Sequence, residues 1–271
     1  MGLIRLLVVL IGFAGMPTLA HEFWIEPEQY QVETDAPLAA SLRNGENFKG
    51  TSLGWFEGRF SRFEMVLGDK VMPVGGRMGD TPALQTAAPS DEGLLVILHE
   101  TTPSRLTYRD WEKFLKFAAH KDFPTAADFH AEMGWPREGF RESYTRHVKA
   151  LVAVGDGVGS DRAFGMKTEF VALTNPYEPG FEGVMRVQVN MDDAPRADAQ
   201  VEVFERRPDG TVDITLHRTD ADGQVGIPVN AGSDYLFDAV VLRPNPEAGS
   251  EENAPLWRTF WAALTFAVPA R

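Results

Sequence analysis

Residues 183–205 read GVMRVQVNMDDAPRADAQVEVFE, and this stretch decides the fold class. Apolar and polar residues alternate over 183–189 and again over 199–205, which is the period of a strand with one wet face. Turn residues follow at 208–210 (PDG) and 219–223 (TDADG), and further strands are predicted over 235–242 and 257–268. Short strands separated by turns are typical of an immunoglobulin-like or prealbumin-like β-sandwich, which we predict for residues 166–271.

The N-terminal region, residues 21–108, is predicted to be a second β domain. Residues 37–43 and 61–67 read as strands that run into turns at Asn44-Gly45 and Gly68-Asp69. The uninterrupted apolar run at 94–98 (LLVIL) indicates a strand that is buried on both faces.

Between these two β regions, the spacing of apolar residues changes from that of a strand to that of a helix. A first helical stripe comprises Trp111, Phe114, Leu115 and Ala118, with Asp110 as its N-cap. A second stripe comprises Phe140, Tyr144, Val148 and Leu151, and it predicts a helix that ends at the glycines of 155–157. Residues 109–165 are therefore predicted to form a helical insertion within a mainly β protein.

Residues 1–20, MGLIRLLVVLIGFAGMPTLA, have the three parts of a secretory signal peptide. Arg5 precedes a short apolar run, and small residues lead to Ala20. The run is too short for a membrane span of about 20 residues, although an uncleaved anchor is the alternative. Cleavage after Ala20 would leave a soluble, periplasmic chain that begins with His21 and is not inserted in the membrane.

The composition excludes several function classes. The chain has 26 Lys and Arg against 39 Asp and Glu, and loss of Arg5 would change the net charge from -13 to -14. An acidic chain is a poor partner for nucleic acid or anionic membranes. The absence of cysteine excludes disulfides, thiolate metal sites and a cysteine nucleophile. No serine elbow, phosphate-binding loop or His-Glu-x-x-His motif is present, so no enzyme is predicted.

A mature N-terminal His21 would carry a metal-chelating pair of nitrogens. Its free α-amine and its Nδ1 can close a ring on one ion, and these donors suit Cu(II) and Ni(II). A second histidine would complete the three-nitrogen site known as a histidine brace. The alternative is that the cleavage site precedes a histidine by chance.

Three further histidines are candidate metal ligands. His99 ends the buried strand, His120 ends the first helix, and His130 lies on a short amphipathic segment. Each has a structural alternative, such as a core position for His99 or a favourable helix-dipole contact for His120. Glu22 is a possible oxygen ligand or a solvated surface residue.

Four segments give the chain a resemblance to a known family. They are residues 21–27 (HEFWIEP), 141–152 (RESYTRHVKALV), 173–177 (LTNPY) and 257–266 (WRTFWAALTF). In this order they resemble the DUF4198 family, some members of which are linked to nickel uptake as components of energy-coupling-factor transporters. The resemblance implies a periplasmic protein that binds nickel through His21 and delivers it to a membrane transporter.

Three interpretations remain open at this point. The first is a periplasmic nickel binder that hands its ion to an importer. The second is a histidine-brace copper protein, either a carrier or an oxidative enzyme. The third is a binding or adhesion module without metal, because β-sandwiches host many functions.

Overall fold

The structure is a computed structural model that describes residues 21–251 and 253–270. The predicted signal peptide, residues 1–20, lies outside the described residues. The first strands are β1 (Glu22–Pro27), β2 (Gln31–Val32), β3 (Pro37–Glu46), β4 (Lys49–Leu53), β5 (Phe60–Leu67), β6 (Lys70–Pro73), β7 (Leu84–Ala87), β8 (Gly93–Thr101) and β9 (Ser104–Tyr108). A 3-10 turn at Glu57–Arg59 precedes β5.

Two helices and the remaining strands follow. The helices are α1 (Trp111–His120) and α2 (Ala126–Glu132). The later strands are β10 (Phe140–Val154), β11 (Thr168–Ala172), β12 (Val184–Met191), β13 (Ala194–Pro195), β14 (Gln200–Arg206), β15 (Val212–Arg218), β16 (Gln224–Pro228), β17 (Asp234–Pro244) and β18 (Trp257–Ala267). Neither described helix is long and apolar enough to cross a membrane. The expected mainly β fold with a helical insertion is confirmed.

The strands form three sheets in three layers. The central sheet has the order β15-β14-β17-β18-β10-β8-β5-β6, and β2 and β9 also pair with β10. The N-terminal sheet (β1, β3, β4 and β7) packs on one face of it, and the C-terminal sheet (β11, β12, β13 and β16) packs on the other. Strands from both sides of the helical insertion therefore share one sheet, and the domain boundaries at 108 and 165 stay predictions.

The apolar run in β8 is explained by burial of the central sheet on both faces. Leu94, Val96 and Leu98 join the core beneath the C-terminal sheet. Leu95 and Ile97 join the core beneath the N-terminal sheet. Because successive side chains of a strand point to opposite faces, a strand between two layers needs apolar residues at every position. The prediction for this segment is confirmed.

The second predicted helix is wrong. Residues 140–154 form β10, the long central strand, which runs parallel to β18 and antiparallel to β8. Positions spaced by four, such as Phe140, Tyr144 and Val148, lie on one face of a helix and also on one face of a strand. Pairing with distant strands decides between the two periods, so the helical insertion consists of α1 and α2 only.

One hairpin turn lies three residues later than the sequence predicted. β3 continues through Asn44 and Gly45 to Glu46, where it still pairs with β4. The turn residues are Asn47 and Phe48, both with positive φ (54° and 57°), as a two-residue hairpin loop requires. Gly45 serves close packing instead, because a Cβ there would lie 2.0 Å from the carbonyl oxygen of Lys49.

The helices cover the same face of the central sheet as the N-terminal sheet does. Asp110 caps α1 by accepting a hydrogen bond from the amide of Glu112 at 3.0 Å, as predicted. Phe114 and Phe117 of α1 pack in a core with Trp257 and Trp261 of β18. The N-terminal sheet and α1 therefore lie side by side on this face, and β1 begins at the junction between them.

Candidate functional site

A cleft of about 530 Å³ opens at the junction between β1 and α1. It is lined by His21, Leu106, Thr107, Tyr108, Arg109, Asp110, Lys113, Phe117, Glu142, Tyr144, Arg146 and Trp261. These residues come from the start of β1, from β9, from α1 and from the central strands β10 and β18. His21 therefore lies at the meeting point of the layers.

Beneath this junction, the side chains on one face of the central strands change from apolar to charged. On the face covered by the N-terminal sheet, Phe204, Leu236 and Val148 belong to the apolar core. Two residues further along the same face, the positions are occupied by Glu202, Asp238 and Arg146. Since the strand period is two, these charged side chains point into the covered junction instead of into solvent. Such buried charge is costly and usually marks a function or a structural ion cluster.

Four of the charged residues form a buried charge cluster: Glu22, Lys121, Glu202 and Asp238. The Nζ of Lys121 lies 2.6 Å from Oε2 of Glu202 and 2.9 Å from Oδ2 of Asp238. It also lies 3.8 Å from Oε1 of Glu22 and 5.1 Å from the ring centroid of Trp261. Lys121, which directly follows α1, is thereby connected to β1, β14 and β17.

The carboxylates hold Lys121 in its charged form. Burial opposes the charge, yet Asp238, Glu202 and Glu22 together raise the pKa of Lys121 above its ordinary value. Burial also opposes the charge of Glu202, but hydrogen bonds from His120 and Lys121 lower its pKa to about 2. The cluster therefore contains a fixed cation and at least one fixed anion.

Glu22, the residue after His21, is the member of this cluster that has a carboxylate oxygen without a hydrogen-bond partner. Burial raises its pKa to about 8, against an opposing effect of Lys121. Its Oε2 is buried without a hydrogen-bond partner. A buried carboxylate oxygen without a partner is uncommon in folded proteins. It is an oxygen donor that a ligand could use.

His21 itself is partly exposed at the mouth of the cleft, with 49% of its side chain accessible. Its Nε2 lies 3.6 Å from Oε1 of Glu46, at the end of β3. Its carbonyl oxygen accepts a hydrogen bond from Nη2 of Arg146 at 3.2 Å. Within the described chain, no hydrogen bond involves its Nδ1, the nitrogen that would chelate a metal together with the α-amine.

Within the described residues, none of the other candidate ligands contacts His21. His99 is buried on β8 among the rings of Phe23, Phe60 and Phe63 at 4.9–5.5 Å, and both of its ring nitrogens lack a partner. Burial lowers the pKa of His99 to about 3. Its aromatic surroundings and its 1% exposure match the core alternative considered from the sequence.

His120 and His130 also have structural partners of their own. The Nε2 of His120 lies 3.2 Å from Oε1 of Glu202. His130 is fully buried, accepts a hydrogen bond at Nδ1 from Nε1 of Trp257 at 3.1 Å, and places Nε2 3.0 Å from the carbonyl oxygen of Pro136. Among residues 21–251 and 253–270, no group of three or more His, Asp or Glu side chains is placed to hold a metal ion.

No sequence pattern indicated the residues that surround His21 and Glu22. Glu46, Arg146 and Lys121 are ordinary charged residues in the sequence, and no spacing connects them to residue 21. The one available signal lies in β10, where Arg146 sits at an even position between Tyr144 and Val148, residues of the predicted apolar stripe.

The family model described as "Domain of unknown function (DUF4198)" matches residues 18–243 of the chain. Two solved structures are similar. One is the crystal structure of a tetra-tandem repeat in the extending region of a large adhesion protein, with 10% identity and a TM-score of 0.23 over 91% of this chain and 49% of that one. The chain thus spans about half the length of that structure. The other is the D0-D1 domain of intimin, with 12% identity and a TM-score of 0.23 over 90% and 97% of the two chains. No curated protein matches the chain.

Proposed function

Since the chain belongs to the DUF4198 family, and since His21 lies at the mouth of a cleft, we propose that the mature protein binds a divalent transition-metal ion. Nickel is the preferred ion in this proposal, and the protein delivers it from the periplasm to a membrane importer. The observation that carries this proposal is the position of His21 at the start of β1, partly exposed and beside Glu46.

The donors at this position suit nickel. Cleavage after Ala20 creates an α-amine on the same residue as an imidazole, and the two nitrogens can close a chelate ring. Glu22 keeps one carboxylate oxygen without a partner and is a candidate third donor. Because these donors are few, the ion keeps open coordination positions, as a carrier that must release its cargo requires.

Glu46 has the position of a residue that orients a metal-binding histidine. Histidine ligands usually donate their second ring N–H to a carboxylate, which fixes the tautomer and the ring orientation. With Nε2 facing Oε1 of Glu46 at 3.6 Å, Nδ1 is left for the metal. This is the nitrogen that can share a chelate ring with the α-amine.

The alternative copper functions have less support. A histidine brace needs a second imidazole beside His21. In the described chain His99, His120, His130 and His147 each contact other groups, and none contacts His21. An adhesion module without metal would give no role to the partly exposed His21 or to the orphaned oxygen of Glu22.

The proposal is tested by calorimetric titration of Ni(II) and Cu(II) into two forms of the protein. One begins at His21, as confirmed by its intact mass, and the other carries one extra alanine before His21. We expect one tightly bound ion in the first form and at least tenfold weaker binding in the second, because the added residue removes the chelating amine. Equal binding by both forms, or binding by neither, would overturn the proposal.

A further inference from the structure

Arg146 is a cation without a carboxylate partner in the cleft beside His21. Its Nε is buried and forms no hydrogen bond, and its Nη2 donates to the carbonyl oxygen of His21 at 3.2 Å. Within the described residues, no carboxylate forms an ion pair with its guanidinium. The guanidinium instead stacks on the rings of Phe23 and Tyr144, at 5.4 and 4.8 Å from their centroids.

Arg146 is half-buried, and its Nε is cut off from water. A guanidinium removed from water normally has a carboxylate or phosphate partner, because desolvation is costly. Burial lowers the pKa of Arg146 accordingly. The two aromatic rings hold the planar group in one orientation, which would be an advantage for a planar, bidentate partner.

Glu142, the carboxylate on the same face of β10, is engaged elsewhere. Its Oε2 accepts a hydrogen bond from the hydroxyl of Tyr108 at 2.8 Å, and its Oε1 accepts one from the hydroxyl of Thr259. Burial raises the pKa of Glu142 to about 7, so it is a weak counter-charge at neutral pH. Asp238 and Glu142 attract the guanidinium of Arg146, but neither forms an ion pair with it in the described part of the chain, so a molecule that enters the cleft can bind it directly.

A second buried donor without a partner lines the same cleft. Nε1 of Trp261 forms no hydrogen bond, although the residue is only 4% exposed. The Trp261 ring stacks on Phe117 at 5.9 Å and forms an apolar wall. The exposed rim carries two cations, Arg109 and Lys113, and one anion, Asp110, which is occupied as the cap of α1.

We infer that this cleft binds a small organic carboxylate, with Arg146 as its main receptor and Trp261 as a second donor. The inference rests on the proposed function and names the ligand that acts with the metal. His21 lies in the same cleft and supplies few donors, so a carboxylate held by Arg146 would fill open coordination positions of the ion. The protein would then carry the metal as a ternary complex with an organic acid.

The inference is tested by calorimetry on the mature protein that begins at His21. Acetate, succinate and citrate are each titrated into metal-free and Ni(II)-loaded wild type, Arg146→Gln and Trp261→Phe. Circular dichroism and thermal unfolding establish that the variants fold. Arg146→Lys is the conservative variant, because it keeps the positive charge but loses the planar, bidentate guanidinium.

We expect at least one of the three acids to bind wild type and to lose tenfold or more in affinity in Arg146→Gln. A smaller loss is expected in Trp261→Phe, and partial rescue in Arg146→Lys. The same acid should bind at least fivefold more tightly to the Ni(II)-loaded protein than to the metal-free protein.

The outcomes separate the two proposals. If Ni(II) binds but none of the acids does, or if Arg146→Gln binds them as wild type does, the inference is overturned and the metal function stands. If an acid binds through Arg146 but Ni(II) does not bind at all, the proposed metal function fails and the carboxylate site stands without the metal.

Discussion

The Nζ of Lys121 lies 2.9 Å from Oδ2 of Asp238, although the two residues come from the end of α1 and the middle of β17. Both side chains are 2% exposed. The contact connects the helical insertion to the central sheet beside Glu22, the first residue of β1. This buried cation therefore connects α1, β14 and β17.

Replacement of Lys121 by methionine should destabilise the protein by about 3–5 kcal/mol, because Glu202 and Asp238 would be left as buried, uncompensated carboxylates. Urea unfolding followed by circular dichroism measures the change. The matched control is Lys116→Met on the exposed face of α1, for which we expect a change below about 0.5 kcal/mol. Equal effects of the two substitutions would contradict a structural role for the buried charge cluster.

Replacement of His99 by leucine should leave nickel affinity unchanged and make the protein more resistant to acid. Near pH 7 we expect a stability change below about 1.5 kcal/mol, since lost ring contacts are offset by removal of two unpaired polar atoms. The folded pKa of about 3 lies below the ordinary value of 6.5. Wild type thus loses stability as pH falls from 6.5 towards 3, because the unfolded chain binds the proton more readily.

This acid dependence amounts to at most about 1.4 kcal/mol per pH unit for one histidine. Urea unfolding at several values between pH 4 and 8 should show a shallower decline for His99→Leu than for wild type. His147, whose pKa burial lowers to about 4, keeps its own contribution in both proteins. A parallel decline, or a loss of nickel binding in His99→Leu, would count against this assignment.

Much of the fold follows from local patterns in the sequence. β8, β12, β14 and α1 were predicted because apolar periodicity, the Asp110 cap and turn residues agree with one another there. β10 was mistaken for a helix because its apolar residues fit both periods, and only pairing with β18 and β8 resolves the ambiguity.

The site was less accessible to sequence reasoning than the fold. His21 was predicted as a ligand because cleavage after Ala20 would give it a free α-amine beside its imidazole, which residue order alone can indicate. Arg146 and the buried charge cluster depend on contacts between β1, α1, β10, β14 and β17, which are separated by up to about 200 positions. No periodicity encodes such contacts, since they arise only when the three layers assemble.

Replacement of Lys149 by methionine should loosen the irregular segment that follows β10. The Nζ of Lys149 donates to Oδ2 of Asp161 at 2.7 Å and to the carbonyl oxygens of Phe170 and Arg162 at 2.8 and 3.1 Å. Loss of this fully buried cation should cost about 3–5 kcal/mol. Thermolysin should then cleave within residues 155–167 at least tenfold faster than in wild type.

The control for this variant is Lys167→Met. Lys167 also pairs with an aspartate, Asp192, but both side chains are more than two-fifths exposed. Such a surface pair contributes at most about 1 kcal/mol. If the two lysine variants were cleaved at the same rate, Lys149 would not be the residue that anchors this segment.

Replacement of Glu46 by alanine should weaken nickel binding by about 10- to 100-fold without abolishing it, which is the usual effect of removing a carboxylate that orients a histidine ligand. Glu46→Gln should have a smaller effect, because its amide oxygen keeps an acceptor facing Nε2 of His21. Calorimetry at pH 7.5 gives both affinities, and unfolding curves show whether the β3–β4 hairpin is intact.

The pH profile separates orientation from direct ligation. Wild-type affinity should fall from pH 8 to 5, because the amine and imidazole bind metal only when unprotonated. If Glu46 only orients His21, Glu46→Ala should show the same decline, displaced to weaker affinity throughout. A complete loss of binding in Glu46→Ala would instead make Glu46 a ligand, and unchanged affinity would remove it from the site.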